Sequence, residues 1–248
     1  MKPSTCKITH LYHSSFYLQT AHHLFIFDYV LPSSDSDSSL DLTSKNIHQL
    51  ASNRNVFVFV SHHHSDHFSP VIFEWKNEIN NIHYVLSSDI NQTFDDSNTH
   101  SMDPGEQLKI NDVLIKTFDS TDAGVSFYIE ADQLSFFHSG DLNWWHWDDF
   151  SKEKQEQEAL EYKNVIEKVK KEHINIAFVP VDPRLGNAFF WAGKYFFEEV
   201  KPDLLIPMHF HDNFSITKAF SDVMGLSSKT IASIGSRGEK IFFDKDQK

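Results

Sequence analysis

The chain has 248 residues, which suits one large domain, and its 40% hydrophobic and 23% charged residues are ordinary for a globular protein. A total of 22 Lys and Arg against 35 Asp and Glu gives a net charge of −13, which disfavours binding to the phosphate backbone of a nucleic acid. The single cysteine excludes an intrachain disulfide framework and a thiolate-rich metal site, whereas 16 His are a surplus of the commonest metal-ligating side chain.

The first part of the chain alternates short β-rich runs with turn-forming and helical segments. Three strands are expected at the start, at Ile8–His13, Phe16–Gln19 and Leu24–Val30. The turn-rich segment Ser33–Ser39 that follows is interpreted as a solvated loop, with a mobile flap over a site as the alternative. A helix is expected at Thr43–Ser52, and the β-branched and aromatic run Val56–Val60 predicts a strand buried on both faces.

The remainder repeats this order of strands followed by strand–helix units. Helices are predicted at Ser69–Glu78, Ser151–His173, Phe189–Val200 and Ser215–Met224. Strands are predicted at Ile82–Leu86, Val113–Phe118, Val125–Glu130, Leu134–His138, Ile176–Pro180, Leu204–Pro207 and Lys240–Phe243. The pattern predicts one α/β domain over residues 1–248, with two mixed sheets inside and helices outside, a four-layer αββα sandwich.

No apolar run approaches the roughly 18 residues of a membrane helix, and the first residues lack an apolar signal region. We therefore expect a soluble, cytoplasmic protein without a membrane partner.

A histidine cluster directly follows the most strand-like run. On extended backbone His62 and His64 point to the same side, while Asp66 and His67 come where the chain turns toward a Ser–Pro helix start. Mixed imidazole and carboxylate ligands suit zinc, iron or manganese better than magnesium or calcium. A His-rich surface loop is the alternative, but the position at a strand end favours a metal site.

Three other segments also end predicted strands with ligand-type residues. Asp141 follows one strand on a glycine turn, His209 follows another, and Asp28 follows a third. An Asp at a strand end is usually only a turn former, so each segment is weak evidence alone. Because strand ends are where α/β folds collect ligands, their agreement with the histidine cluster supports one shared site.

These residues resemble the metallo-β-lactamase superfamily of metal-dependent hydrolases. His62-x-His64-x-Asp66-His67 is similar to its H-x-H-x-D-H signature, Asp141 to its bridging aspartate and His209 to its last histidine. Within the superfamily, His13-Ser14-Ser15 and Ser139-Gly140-Asp141 resemble the branch that contains L-ascorbate-6-phosphate lactonase. The resemblance implies two adjacent divalent metals, zinc in the first place with manganese or iron as alternatives.

The resemblance also implies how the ligands are shared. His62 and His64 would hold the first metal, Asp66, His67 and His209 the second, and Asp141 would bridge them. One departure stands out, because the family usually places another histidine where this chain reads Phe118-Asp119-Ser120-Thr121-Asp122-Ala123-Gly124. We expect Asp122 to substitute as a ligand, the alternative being that Asp122 is only a turn former.

Several neighbouring residues have two interpretations each. His13 could line the cleft or be a buried structural histidine, His63 should face away from the ligands, and His211 could support them. Trp144, Trp145 and Trp147 could form an apolar substrate wall but more often such residues simply pack. Arg184 could bind a carboxylate or phosphate, or only pair with Asp182.

The leading hypothesis is a binuclear metal-dependent hydrolase in which Asp66 and Asp141 orient an activated water toward a small-molecule substrate. Lactones, esters, phosphodiesters, amides and thioesters all remain candidate substrates. The rivals are a redox di-iron protein and a non-catalytic metal-binding module on the same fold. A nuclease is disfavoured by the net charge of −13.

Overall fold

A computed structural model describes residues 1–30, 41–90 and 97–247 as two facing sheets with helices on their outer sides. The strands are β1 Thr5–Tyr12, β2 Ser15–Gln19, β3 His23–Phe27, β4 Asn55–Val60, β5 Ile82–Ser87, β6 Thr99–Met102, β7 Gln107–Ile110, β8 Val113–Asp119, β9 Val125–Ala131, β10 Leu134–His138, β11 Ile176–Pro180, β12 Leu204–Met208 and β13 Lys240–Asp244. The α-helices are α1 Ser44–Ala51, α2 Lys152–Val169, α3 Trp191–Val200 and α4 Ser215–Met224, and 3₁₀ segments span Pro70–Asn77 and Pro183–Ala188.

Both sheets are mixed. The first has the order β13-β1-β2-β3-β4-β5-β6, antiparallel from β13 to β3 and parallel from β3 to β6. The second has the order β12-β11-β10-β9-β8-β7, parallel from β12 to β10 and antiparallel from β10 to β7. Parallel neighbours end at the same edge of a sheet, so the loops after β3 and β4 come together.

Phenylalanine fills the space between the sheets. Phe25 of the first sheet meets Phe136 of the second with ring centroids 5.5 Å apart, and Phe59 meets Phe127 at 5.1 Å. Separate apolar clusters cover the outer faces, one under α1 and the first 3₁₀ segment and one under α2, α3 and α4. Three apolar layers between four layers of structure confirm the predicted αββα architecture.

Most predicted elements are present, and their ends agree with the predicted bounds to within four residues. The segment Ser69–Glu78, predicted as a helix, forms the tighter 3₁₀ segment Pro70–Asn77. Strands β6 and β7 were not predicted. The Ser33–Ser39 segment lies outside the described residues, and within the described ranges no helix is both long and apolar enough to cross a membrane.

Candidate metal centre

The centre is built on a buried carboxylate between the ends of two parallel strands. Asp28 directly follows β3 and Ser61 directly follows β4. The Asp28 carboxylate accepts hydrogen bonds from the Ser61 backbone N–H and hydroxyl, both at 2.7 Å. The Asp28 backbone N–H donates to the carbonyl of Phe59 at 2.9 Å, which fixes the loop to the strand beside it. The histidine cluster therefore begins from a rigid support.

Two histidines are oriented by buried carboxylates behind them. His67 Nδ1 lies 2.7 Å from Asp28 Oδ2, and His209 Nδ1 lies 3.1 Å from Asp182 Oδ2. A carboxylate accepts the proton of Nδ1, so the neutral ring presents a lone pair at Nε2. Asp182 itself accepts two hydrogen bonds from the Arg184 guanidinium group. Both rings are thus held in the tautomer that a metal ligand requires.

His62 reaches the same tautomer through a hydroxyl. Its Nδ1 lies 2.9 Å from Ser61 Oγ, and that hydroxyl donates its own proton to Asp28. Ser61 Oγ must therefore accept from His62 Nδ1, which leaves Nε2 of His62 as a lone pair.

These three Nε2 atoms converge on the two oxygens of Asp141. His67 and His209 both lie 3.1 Å from Oδ1, whereas His62 lies 3.5 Å from Oδ2. Ligands at about 2.0–2.2 Å from one tetrahedral ion are roughly 3.3–3.5 Å apart, so these separations are close to those between ligands of one ion. Because each oxygen faces a different set of histidines, Asp141 is placed to bridge two ions.

A tight turn delivers Asp141 to this position. The turn is closed by the Leu142 N–H, which donates to the Ser139 carbonyl at 3.0 Å, and Gly140 has a φ of 52°. A Cβ at position 140 would lie 2.6 Å from Ser61 Cβ, closer than real Cβ atoms approach. Glycine is therefore required both for the backbone conformation and for the close approach to β4.

The donor atoms fit divalent ions. Among the residues the structure describes, no hydrogen-bond partner exists for the buried atoms His62 Nε2, His67 Nε2, His209 Nε2 and Asp141 Oδ1. Buried polar atoms are nearly always paired, so four unpaired ones facing each other fit a cation-binding site. Imidazole nitrogens and carboxylates suit zinc, iron and manganese.

The pKa shifts of the histidines also indicate that the centre favours positive charge. Burial alone would lower the pKa of His67, but the carboxylates of Asp141 and Asp28 outweigh it and raise the pKa to about 10. Burial and the neighbouring His67 lower the pKa of His62 to about 4. The carboxylates of the centre therefore favour positive charge beside them.

Asp66, His64 and His13 complete the groups around the two ion positions. His62, His64 and Asp141 offer ligand atoms within 4.8 Å of one another, and so do His13, Asp66, His67 and His209. His13 Nε2 lies 3.5 Å from Asp66 Oδ2, but its Nδ1 accepts a hydrogen bond from the His211 backbone N–H at 3.2 Å. A backbone N–H can only donate, so the neutral His13 ring carries its proton on Nε2. His13 is therefore a donor facing Asp66, the reverse of the three ligand-type histidines.

Four non-glycine residues of the centre have left-handed backbone conformations. They have φ values between 44° and 66°, and they are His13, Asp28, His209 and His211. Such conformations are uncommon outside glycine and persist where the surrounding structure over-determines them.

An open cleft of about 450 Å³ leads to these groups. Trp145 and Trp147 line it with their rings stacked at 5.9 Å, and the Arg184 guanidinium lies 5.7 Å from the centre of the Trp147 ring. Arg184 pairs with Asp182 yet remains 46% exposed, and Lys154 also lines the cleft but is paired with Glu158 at 2.6 Å. The cleft therefore combines aromatic surface with the half-exposed guanidinium group of Arg184.

The remaining candidate residues lie outside the group of proposed ligands. Trp144 packs near Tyr162 and Trp191 in the outer helical layer rather than lining the cleft. His63 points away from the ligands, with Nδ1 2.8 Å from Asp89 Oδ2. His211 stacks on His13 with ring centroids 3.9 Å apart.

Comparison with known proteins places the fold and the centre in a family. The family model described as a beta-lactamase superfamily domain matches residues 7–209. The chain belongs to the metallo-β-lactamase superfamily. The match runs from strand β1 to His209, so it includes every proposed ligand.

Solved structures share this metallo-β-lactamase fold at low sequence identity. Igni18, a metallo hydrolase from Ignicoccus hospitalis, is 14% identical with a TM-score of 0.62, over 96% of this chain and 98% of that one. YhfI from Bacillus subtilis is 11% identical with a TM-score of 0.59, over 97% and 100%. CmlA, a diiron β-hydroxylase from Streptomyces venezuelae, is 11% identical with a TM-score of 0.57, over 96% and 54%. No curated protein matches the chain.

The position where the superfamily usually has one more histidine is occupied by the loop before β9. Asp122 Oδ2 lies 3.8 Å from His64 Nδ1, and both side chains are about half exposed in the cleft. Asp122 lies outside the compact group formed by His62, His64 and Asp141. A Cβ at Gly124, φ 66°, would overlap the Ser61 carbonyl oxygen, so the loop is pressed against the histidine cluster. Asp122 is thus near the first ion position, and its ligation stays a prediction.

Proposed function

We propose that the protein is a binuclear metal-dependent hydrolase that acts on a small anionic substrate. The observation that carries the proposal is the arrangement at Asp141, whose two oxygens face separate histidines at 3.1 and 3.5 Å. Three buried Nε2 lone pairs and a bridging carboxylate make a pair of cation sites rather than one.

The ligand assignment follows from this geometry. His62 and His64 would hold the first ion with Asp141, and Asp66, His67 and His209 would hold the second with the same carboxylate. Divalent ions at such a site lower the pKa of water and stabilise negative charge that develops on a substrate oxygen. Asp66 and Asp141 would orient the attacking water, and His13 Nε2 faces Asp66 Oδ2 at 3.5 Å.

The cleft indicates the kind of substrate. Arg184 offers a half-exposed guanidinium group to the cleft, while Trp145 and Trp147 offer a flat apolar surface. A guanidinium group pairs well with a carboxylate or a phosphate. We therefore favour a lactone, ester or phosphodiester that also carries an anionic group over an uncharged substrate.

A substrate panel on metal-defined protein tests the proposal. Chelated protein is reloaded separately with zinc, manganese and iron, and each form is assayed against lactones, carboxylic esters and phosphodiesters with and without an anionic substituent. We expect metal-dependent hydrolysis that is lost in Asp141→Asn and that favours the anionic members.

Two other outcomes would contradict the proposal. Oxygen-dependent turnover confined to the iron form would favour a redox centre, which is the chemistry in the printed name of the CmlA neighbour. Tight metal binding without turnover of any ester, lactone or phosphodiester would favour a non-catalytic metal-binding protein.

A further inference from the structure

A histidine at the opposite edge of the sandwich has the same features as the ligand-type histidines near Asp141. His23 begins β3, its side chain is fully buried, and its ring stacks on Phe25 with centroids 5.5 Å apart. Its Nδ1 lies 2.9 Å from Asp132 Oδ2. The arrangement repeats the carboxylate–histidine pairs Asp28–His67 and Asp182–His209.

The Asp132 carboxylate only accepts hydrogen bonds from its neighbours. The residue occupies the two-residue turn between β9 and β10, where Asp132 and Gln133 have φ values of 50° and 61°, as type I′ hairpins require. Its carboxylate also accepts from the Thr20 hydroxyl at 2.5 Å and from the His22 backbone N–H at 3.0 Å. The charged carboxylate therefore keeps the proton of His23 on Nδ1.

The other ring nitrogen of His23 faces a second carboxylate. Nε2 lies 3.3 Å from Asp112 Oδ1, yet it forms no hydrogen bond with any residue in the described ranges. A lone pair and a carboxylate oxygen repel each other unless a positive charge lies between them. The separation also falls within the 3.1–3.5 Å range of the histidine–Asp141 contacts. The contact therefore has the spacing of two ligands of one ion.

We propose that a divalent transition-metal ion such as zinc binds between His23 Nε2 and Asp112 Oδ1, in a site separate from the metal centre at Asp141. Asp112 lies in the hairpin between β7 and β8 of the second sheet, and His23 belongs to the first sheet. The ion would link the two sheets at the edge far from the cleft. A wide depression of about 680 Å³, lined by Asp112 and Asp132, leaves room for water to complete the coordination. With only two protein ligands, this ion exchanges more readily than those at Asp141.

A zinc titration of protein that already retains its tightly bound zinc tests the site. The chain is loaded with zinc, exchanged into zinc-free buffer to retain only tightly held ions, and titrated calorimetrically, with thermal unfolding followed in parallel. Wild type should bind one additional equivalent and unfold at a higher temperature as the zinc concentration rises. Asp112→Asn should weaken this binding by roughly tenfold or more, because the anionic ligand is lost while the turn is kept. His23→Gln should do the same.

Glu156→Gln is the matched control, since it removes an exposed carboxylate from the outer helix α2 and should behave as wild type. The additional zinc is counted as the difference between wild type and Asp112→Asn. This difference does not depend on how many ions the Asp141 centre retains or on whether that centre is catalytic. Equal zinc binding in wild type and Asp112→Asn would overturn the proposal. So would the absence of an additional equivalent in wild type, because no ion would then bind between His23 and Asp112.

Discussion

The buried histidines around Asp141 differ in the group that faces each Nδ1 atom. Asp28 and Asp182 accept from His67 and His209, whereas a backbone N–H donates to His13. The first arrangement frees Nε2 to bind a metal, and the second leaves a proton on it. Side chains of one type, close together, therefore serve as ligands in some cases and as a hydrogen-bond donor in another.

His13 should position Asp66 rather than bind the metal. His13→Gln keeps an N–H donor close to the former Nε2 and should retain most of the zinc affinity, whereas His13→Ala should lose about tenfold. Competition with a chromophoric chelator measures both. Nitrogen-15 NMR of the zinc-loaded protein should show the His13 proton on Nε2. A metal-bound Nε2 with the proton on Nδ1 would contradict this assignment.

Asp122 tests the departure from the family pattern. If its carboxylate replaces the missing histidine, Asp122→Ala should lose one tightly held metal equivalent while the ion at His67 and His209 remains. An anionic ligand would also shift the preference of the first site toward harder ions such as manganese. Elemental analysis measures the change, with the exposed Asp149→Ala as control. Two equivalents persisting in Asp122→Ala, with unaltered activity, would show that the carboxylate is not a ligand.

The sequence was sufficient for the ligand types but not for their protonation. The spacing of His62, His64, Asp66 and His67 after a strand indicated a metal site, and the structure brings these residues together with Asp141 and His209. The tautomers depend on partners far away in the chain, and no local pattern marks them. His23, Asp112 and Asp132 were missed for the same reason, because three separate turns bring them together.

At the level of elements, strand ends position the chemistry. Five strands are each followed, within three residues of their ends, by a residue of the centre: β3 by Asp28, β4 by Ser61, β10 by Asp141, β11 by Asp182 and β12 by His209. Buried parallel strands are continuous apolar runs, so the sequence predicts them well. Strands β6 and β7 are only four residues long and partly exposed at sheet edges, so they carry little periodic signal.

Strand β1 contributes a pH-sensitive side chain to the core. His10 is fully buried against Phe16 and Phe210, with ring centroids 4.9 and 5.2 Å away, and burial lowers its pKa to about 4. The unfolded chain binds this proton near pH 6.5, so below that pH the unfolded state holds more protons and stability falls toward pH 4. Between pH 8 and pH 5 the loss is about 2 kcal/mol.

His10→Phe should remove this contribution. Denaturant unfolding of chelated wild type and variant at pH 8 and pH 5 measures the difference, and chelation keeps metal loss out of the comparison. The variant should lose about 2 kcal/mol less than wild type on acidification. His48→Gln, an exposed histidine in α1, should follow wild type. A pH dependence of His10→Phe parallel to wild type would contradict a neutral buried His10.

At the scale of the molecule, the sandwich has carboxylate–histidine pairs at both edges. One edge carries the cleft with Asp141, and the opposite edge carries His23 between Asp112 and Asp132. The Phe-rich layer lies between them and fixes the positions of the strands from which both edges are built. The net charge of −13 raises the local concentration of cations near the surface.

The central claim is that Asp141 bridges two metal ions, and its most direct test is the metal content of purified wild type and Asp141→Ala after exchange into metal-free buffer. Inductively coupled plasma mass spectrometry should find two tightly held divalent ions per wild-type chain. Removing the carboxylate that faces both histidine sets should leave fewer than one ion in Asp141→Ala. One ion or none in wild type, or two ions retained in Asp141→Ala, would contradict the account.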